Sequence, residues 1–128
     1  MQLSSISILL VDDEKELADL YGEFASSCGV NVVSYTKPFM ALKHYKQNLY
    51  KYSLVITDLI MPKINGIEFA NEIRRLGTSI MIILMIPFDV VGLEEMPAYH
   101  SAKISKILKK PIKINTFRKI IQTSVQIP

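Results

Sequence analysis

Short apolar runs alternate with amphipathic stretches along most of the chain. The apolar runs predict five strands, at residues 6–11, 30–35, 53–57, 80–86 and 104–108. Runs that are apolar throughout are typical of strands covered on both faces of a sheet. Since the stretches between them have the spacing of helices, the pattern indicates repeated strand–helix units. Such units form a parallel α/β sheet with right-handed crossovers and helices on both faces.

The amphipathic stretches predict four regular helices and one irregular segment. Apolar residues at three-to-four spacing place Leu20 in the buried stripe of the first helix and Phe39 in that of the second. The last helix is expected to be capped by Asn115 or a neighbour. The segment 87–100 contains two prolines and a glycine. Because proline removes a backbone donor and glycine disfavours helix, a fourth helix there should be short or irregular.

Charged residues follow three of the predicted strands. Asp12 and Asp13 follow the first strand, Asp58 follows the third, and Lys109 and Lys110 follow the fifth. Ligands of open α/β sheets bind beyond the carboxyl ends of the strands, so we expect these side chains to converge there. Clustered carboxylates repel one another and need a cation, and oxygen ligands suit Mg²⁺. The set therefore predicts phosphoryl transfer to Asp58, assisted by a metal and a lysine; ordinary loop residues are the alternative.

Three sequence motifs resemble the response regulator receiver domain of two-component signalling. They are LLVDDE at residues 9–14, LVITDLIMPKINGIEFA at 54–70 and KKPI at 109–112. The resemblance implies a (βα)₅ flavodoxin-like, doubly wound sheet with five parallel strands in the order 2-1-3-4-5. It also implies one receiver domain over residues 1–128. Such a domain relays a signal and takes part in its own phosphorylation, so a turnover enzyme is not expected.

The roles of the site residues follow from the same resemblance. Asp58 matches the phosphoacceptor, and Lys110 matches the lysine that contacts the phosphoryl group. Asp13 matches the direct Mg²⁺ ligand and Asp12 the acid that holds a metal-bound water, while Ile60 would supply its backbone carbonyl to the metal. The peptide bond after Lys110 is expected to be cis. The expected partner is a sensor histidine kinase or a histidine phosphotransfer protein.

Two positions depart from the family pattern and leave an alternative function open. The family has Thr or Ser at the end of the fourth strand and an aromatic residue in the fifth, where this chain has Met85 and Ile107. A thioether donates no hydrogen bond. Phosphorylation with a different conformational readout is the preferred interpretation, because the residues for transfer are present. The alternative is a pseudo-receiver that binds its partner regardless of phosphorylation. A flavin carrier is disfavoured, since acids follow the first strand where a phosphate loop would lie.

Two further apolar positions bear on the lifetime of a phosphorylated state. Ile60 and Pro87 occupy positions where, in the family, side chains influence the water that hydrolyses the acyl phosphate. Neither side chain can orient a water molecule. The sequence therefore predicts slow self-hydrolysis of phosphorylated Asp58.

Composition narrows the class of protein. The 128 residues suffice for one domain with its own core. A single cysteine, Cys28, excludes a disulfide framework and a zinc site built from cysteines. No apolar run approaches the roughly 20 residues that span a bilayer, and the first residues lack the basic region of a signal peptide. We therefore expect a cytoplasmic domain that contacts no membrane.

Charge is divided unevenly along the chain. Through Glu95, 12 acidic residues outnumber 8 Lys and Arg for a net −4, whereas the remainder has 7 Lys and Arg and no acid for a net +7. This basic C-terminal part is either a solvated edge or a surface for an acidic protein partner. It lacks the aromatic pattern of single-strand binders, so direct binding of nucleic acid is not expected. A monomer or a weak homodimer is expected.

Overall fold

The computed structural model describes residues 5–125 and contains a sheet of five parallel strands. The strands are β1 (Ser7–Val11), β2 (Asn31–Tyr35), β3 (Leu54–Asp58), β4 (Met81–Pro87) and β5 (Lys106–Lys110). Their order across the sheet is β2-β1-β3-β4-β5. The α/β class and the doubly wound strand order are therefore confirmed. β1 and β3 are buried along their whole length, which explains why their sequences are apolar throughout.

Helices connect successive strands, and the fourth helix is short, as predicted. The helices are α1 (Lys15–Ser26), α2 (Pro38–Lys46), α3 (Gly66–Arg75), α4 (Pro97–Ala102) and α5 (Ile114–Ser124). A single 3₁₀ turn at Leu93–Glu95 precedes α4. Pro97 does not interrupt this segment; it is the first residue of α4, where the missing backbone donor would be unpaired in any case.

Two apolar layers cover the sheet, because successive side chains of a strand point to opposite faces. Ile8 and Leu10 of β1 pack in the layer formed with α1 and α5, where Phe117 is fully buried. Leu9 of β1 packs in the opposite layer with α2, α3 and α4, where Phe69 is fully buried. The apolar faces of the helices thus leave the carboxyl edge of the sheet as the place where polar side chains collect.

One arginine of α3 fastens the far end of α4. The Arg74 guanidinium donates to the carbonyl of Ala102 at 2.8 Å and to that of Lys103 at 2.9 Å. It also donates to the carbonyl of Ile80 at 2.7 Å and to that of Thr78 at 3.3 Å. The C-terminal end of α4 and the loop before β4 therefore share a single hydrogen-bonding side chain.

Three local predictions are wrong. Leu20 is 41% exposed, because the buried face of α1 is centred on Ala18 and Tyr21. Phe39 is 54% exposed, because the inward face of α2 begins with Pro38 and continues through later turns. The residue before α5 is Lys113, which makes no side-chain capping bond, and Asn115 lies inside the first turn. Cys28 is buried in the core.

Candidate functional site

The carboxyl ends of β1, β3 and β5 bring Asp12, Asp58 and Lys110 together. The Nζ atom of Lys110 donates to Oδ2 of Asp12 at 2.9 Å and lies 3.1 Å from Oδ2 of Asp58. Asp12 follows β1 directly, whereas Asp58 and Lys110 are the last residues of β3 and β5. The convergence expected from the strand ends is present. The Lys110–Pro111 peptide bond is cis, as expected.

Three carboxylates form a compact oxygen cluster beside this lysine. Asp12, Asp13 and Asp58 each offer an oxygen, and these oxygens lie within 4.8 Å of one another. Asp12 is fully buried, and its Oδ1 atom accepts from the backbone N–H of Glu14 at 3.0 Å. Oδ1 of Asp13 is buried and has no hydrogen-bond partner among residues 5–125. An orphaned carboxylate oxygen next to two others fits a hard divalent cation such as Mg²⁺.

Burial and charge act in opposite directions on the two central groups. Burial raises the pKa of the Asp58 carboxyl above its ordinary value; the ammonium group of Lys110 offsets part of that rise, and the charge of Asp12 adds to it. Burial lowers the pKa of Lys110, but the hydrogen bond to Asp12 and the charges of Asp12 and Asp58 outweigh it and leave the pKa raised. Lys110 is thus held as a cation between two acids.

The loop after β3 is held tightly against the site. The backbone N–H of Leu59 donates to the carbonyl of Met85 at 2.8 Å, and that of Gly66 donates to the carbonyl of Leu59 at 2.9 Å. A Cβ atom on Gly66 would lie 2.3 Å from the carbonyl oxygen of Asp58, so only glycine fits this approach. The start of α3 is fixed by a capping box between Asn65 and Glu68. These contacts set the position of the Asp58 backbone.

A cleft of about 500 Å³ opens onto Asp58 and Lys110. Its walls come from the loop after β1, from α1, from the loop after β3 and from the ends of β4 and β5. Besides Asp13 and Glu14 they are mostly apolar, and they include Leu17, Tyr21, Ile60, Pro87, Phe88 and Pro111. Ile60 is 58% exposed and Phe88 is 72% exposed, so the cleft has an accessible rim. Lys109, the neighbour of Lys110, lines a different cleft. A reactant can therefore approach Asp58 from solvent.

The two departures from the family pattern lie on opposite faces of the sheet. Met85 is fully buried in the layer under α1 and α5. Ile107 packs against the layer on the other face and lines a cleft there together with Ile86. Met85 therefore does not fill the space beside Ile107. The motif alignment fixed a position along β4, but side chains alternate between faces, and Ile86 is the residue that shares the face of Ile107.

Sequence reasoning assigned no site role to two residues that line the main cleft. Tyr21 packs in the core layer under α1 and α5, and it also lines the cleft. Phe88 lies just beyond β4, in the segment predicted to be irregular. The only signal in the sequence was their closeness to a strand end or to the acid pair, which is too weak to select them.

The family is decided by comparison with known proteins. The model of the response regulator receiver domain matches residues 8–122. This chain belongs to the response regulator receiver family. In two-component systems such receiver domains interact with histidine kinases or phosphotransfer proteins, and they typically bind Mg²⁺ at an acidic cluster.

Relatives agree with this assignment. The transcriptional regulatory protein CpxR homolog of Haemophilus influenzae is 35% identical over 91 residues, which are 68% of this chain and 39% of that protein. The response regulator receiver protein CpdR of Brucella abortus is 25% identical over 104 residues, which are 81% of this chain and 83% of that protein. The chain thus spans well under half of the Haemophilus relative.

A solved receiver domain protein from Clostridium thermocellum has the same fold. It superposes with a TM-score of 0.83 over 94% of each chain, at 21% identity. At this identity the likeness concerns the fold alone. Within residues 5–125, no helix has both the length and the apolar character that crossing a membrane requires.

Proposed function

We propose that this receiver domain accepts a phosphoryl group on Asp58 from a phosphohistidine donor and thereby relays a signal. The observation that carries the proposal is the position of the Asp58 carboxylate. It lies 3.1 Å from the Nζ atom of Lys110, in a three-carboxylate cluster, and it lines an open cleft. A nucleophile, a cation and an oxygen cluster for a metal are the parts that phosphoryl transfer needs.

In the proposed step, one carboxylate oxygen of Asp58 forms a bond to the phosphorus atom. The bond between phosphorus and the imidazole nitrogen of the donor breaks, and its electron pair remains on the imidazole, which takes a proton from solvent. Lys110 neutralises negative charge on the phosphoryl oxygens. The partner is a sensor histidine kinase or a histidine phosphotransfer protein, and the product is an acyl phosphate on Asp58.

Magnesium is proposed to be held by the carboxylates of Asp12, Asp13 and Asp58 and by the backbone carbonyl of Ile60. The unpartnered Oδ1 atom of Asp13 and the all-oxygen donor set support this assignment. When bound, the ion supplies positive charge that offsets the charge of the transferring phosphoryl group. Asp12 has a second task in this scheme, since it also holds Lys110.

The test is phosphorylation by acetyl phosphate with and without Mg²⁺, followed by intact mass. We expect wild type to gain the mass of one phosphoryl group only with Mg²⁺, and Asp58→Ala to gain none. Asp89→Ala is a matched control, because Asp89 is an exposed acid outside the cluster, and it should gain the same mass as wild type. Uptake by Asp58→Ala would contradict the assignment of the phosphoacceptor.

The second candidate is a pseudo-receiver that binds a partner regardless of phosphorylation. Ile86 and Ile107 favour it. Both line the cleft beside the Leu93–Glu95 turn, and neither side chain offers a hydroxyl group there. An absence of any mass gain would support this candidate.

Four other expectations stay predictions. They are a role as signal relay without turnover of a free substrate, an acidic partner at the basic C-terminal part, a cytoplasmic location, and a monomeric or weakly dimeric state.

A further inference from the structure

Lys110 has a third neighbour besides the two carboxylates. Its Nζ atom lies over the ring of Tyr21, 5.7 Å from the ring centroid. At this distance the negative face of an aromatic ring attracts a cation. Both residues line the cleft that opens onto Asp58. We propose that Tyr21 is a positioning residue that holds the Lys110 ammonium group beside Asp58. The inference rests on the proposed function, in which Lys110 contacts the phosphoryl group.

The Tyr21 ring is itself fixed by the packing of α1 against α5. Tyr21 is 2% exposed, and its ring stacks on that of Phe117 with centroids 5.3 Å apart and planes 7° apart. Phe24 meets both rings edge-on, at 5.9 Å from Tyr21 and 6.0 Å from Phe117. A buried ring that is stacked on another buried ring has few alternative rotamers. Tyr21 therefore forms a rigid wall of the site.

The ring keeps its attraction for Lys110 while the hydrogen-bond partners of the ammonium group change. Before transfer, Asp12 and Asp58 both face the ammonium group, which has three donors. During transfer, Lys110 has to turn from a carboxylate oxygen of Asp58 to a phosphoryl oxygen. A π face attracts the cation without being a carboxylate that competes with the phosphoryl group. Tyr21 thus limits the movement of Nζ during this exchange.

Three single variants separate the effect of the ring on Lys110 from its effect on packing. Tyr21→Leu removes the π face and keeps apolar bulk, whereas Tyr21→Phe keeps the face. Phe24→Leu is the matched control, because it removes a ring of the same aromatic cluster. In the part of the chain that the structure describes, no contact of the Phe24 ring with the Lys110 ammonium group is found.

The first readout is the position of the ammonium group, measured by proton NMR on the full chain without a phosphodonor. Nuclei above an aromatic face are shifted upfield, so the methylene protons next to Nζ of Lys110 should be shifted in wild type, Tyr21→Phe and Phe24→Leu. Tyr21→Leu should lose most of this shift. The resonance is assigned by its absence in Lys110→Met. An unchanged shift in Tyr21→Leu would overturn the inference.

The second readout is the rate of Asp58 phosphorylation by acetyl phosphate with Mg²⁺. Tyr21→Leu should be about three- to tenfold slower than wild type, and Tyr21→Phe and Phe24→Leu within about twofold. In a Lys110→Met background, Tyr21→Leu should cause no further loss, since the ring acts through the lysine. An equal loss in both backgrounds would show that Tyr21 acts through packing, and would overturn the inference.

The two proposals fail in different ways. A wild-type chain that takes up no phosphoryl group refutes the proposed function, whatever the variants do. The NMR shift does not depend on phosphoryl transfer, so it still decides whether Tyr21 places Lys110. A shift that is present in wild type and lost in Tyr21→Leu, together with a Lys110-dependent loss of rate, supports both proposals.

Discussion

Lys110 at the end of β5 forms a buried ion pair with Asp12, which lies 98 positions earlier, directly after β1. The side chain of Asp12 is fully buried and that of Lys110 is 15% exposed. The pair therefore links an edge strand of the sheet to an inner one through charge. Removal of Lys110 leaves Asp12 as an uncompensated buried charge, which costs more than the intact pair contributes.

We expect Lys110→Met to lower the free energy of unfolding by about 3 kcal/mol, because Asp12 and Asp58 lose their shared cation. Urea unfolding at neutral pH without divalent metal measures this. Mg²⁺ should stabilise the variant more than wild type, because the carboxylates then have no other cation. The matched control is Lys109→Met, an exposed neighbour whose loss should change stability by less than about 0.5 kcal/mol. Equal effects of the two variants would contradict the buried pairing.

Gly66→Ala is expected to disturb both the stability and the site. The added Cβ would meet the carbonyl oxygen of Asp58 at 2.3 Å and a methyl group of Leu84 at 2.7 Å, so the start of α3 has to move. We expect a loss of about 2 kcal/mol in unfolding free energy together with slower phosphorylation of Asp58.

Gly77→Ala serves as the comparison for Gly66→Ala. At Gly77 no atom of the described residues other than its chain neighbours lies within 4 Å of an added Cβ, but φ is +80°. The cost there is backbone strain of about 1 kcal/mol, far from the site. Phosphorylation of Asp58 should therefore keep its wild-type rate in this variant. A rate that falls equally in both variants would mean that general destabilisation, rather than the approach to Asp58, is responsible.

His44 gives stability a pH dependence away from the site. Burial lowers the pKa of His44 below its ordinary value, and the charge of Lys51 lowers it further. The ring also shares a hydrogen bond with the hydroxyl of Tyr52. Since the folded state has the lower pKa, the unfolded state binds the proton more readily. The contribution of neutral His44 to stability is therefore fully present at pH values above the pKa that His44 has in the unfolded state. This contribution falls as the pH drops from that value to the lower pKa of His44 in the folded state.

Urea unfolding of wild type and His44→Gln between pH 7.5 and pH 5 measures this effect. The stability advantage of wild type over the variant should narrow toward low pH, because only wild type loses this contribution. Other titrating groups are common to both chains and cancel in the comparison. A stability advantage that stays constant or widens as the pH falls would show that folding does not lower the pKa of His44.

Ile60 is expected to protect phosphorylated Asp58 from hydrolysis. It is 58% exposed, lines the cleft with Pro87, and neither residue has a side-chain group that orients water. Ile60→Asn should shorten the lifetime of the phosphorylated chain several-fold, because an amide can position a water molecule. Ile60→Val, which stays apolar, should leave the lifetime near that of wild type. Intact mass, followed over time after removal of acetyl phosphate, measures the lifetime of phosphorylated Asp58. A wild-type lifetime at the short end of the range of receiver domains would contradict the prediction.

The sequence was most informative where a local pattern carried the structural cause. β1 and β3 are buried and apolar throughout, and the half-buried β2 is rich in β-branched residues, so the strands and their alternation with helices could be predicted. The strand-end positions of Asp12, Asp58 and Lys110 followed from the same pattern. Exposure of Leu20 and Phe39 could not be predicted, because three-to-four spacing is compatible with two neighbouring helix faces and only packing selects one.

Other features depend on contacts between distant parts of the chain. The motif alignment placed Met85 at the end of β4, but the face to which its side chain points depends on the register of the sheet. The position of Tyr21 under the Lys110 ammonium group depends on how α1 packs against α5. Neither relationship leaves a local periodic signal, so both had to come from the structure.

The carbonyls bound by Arg74 fasten one end of α4 to α3, and Asn71 of α3 fastens the other by donating to the carbonyl of Ala98 at 2.9 Å. The C-terminal end of this short helix is anchored to α3 and to the loop before β4. The Leu93–Glu95 turn at its other end borders the cleft that Ile86 and Ile107 line. Because α4 is held to α3 at both ends, the two helices should move as one body. A displacement that begins beside Ile86 should therefore be taken up in the Leu93–Glu95 turn rather than within α4.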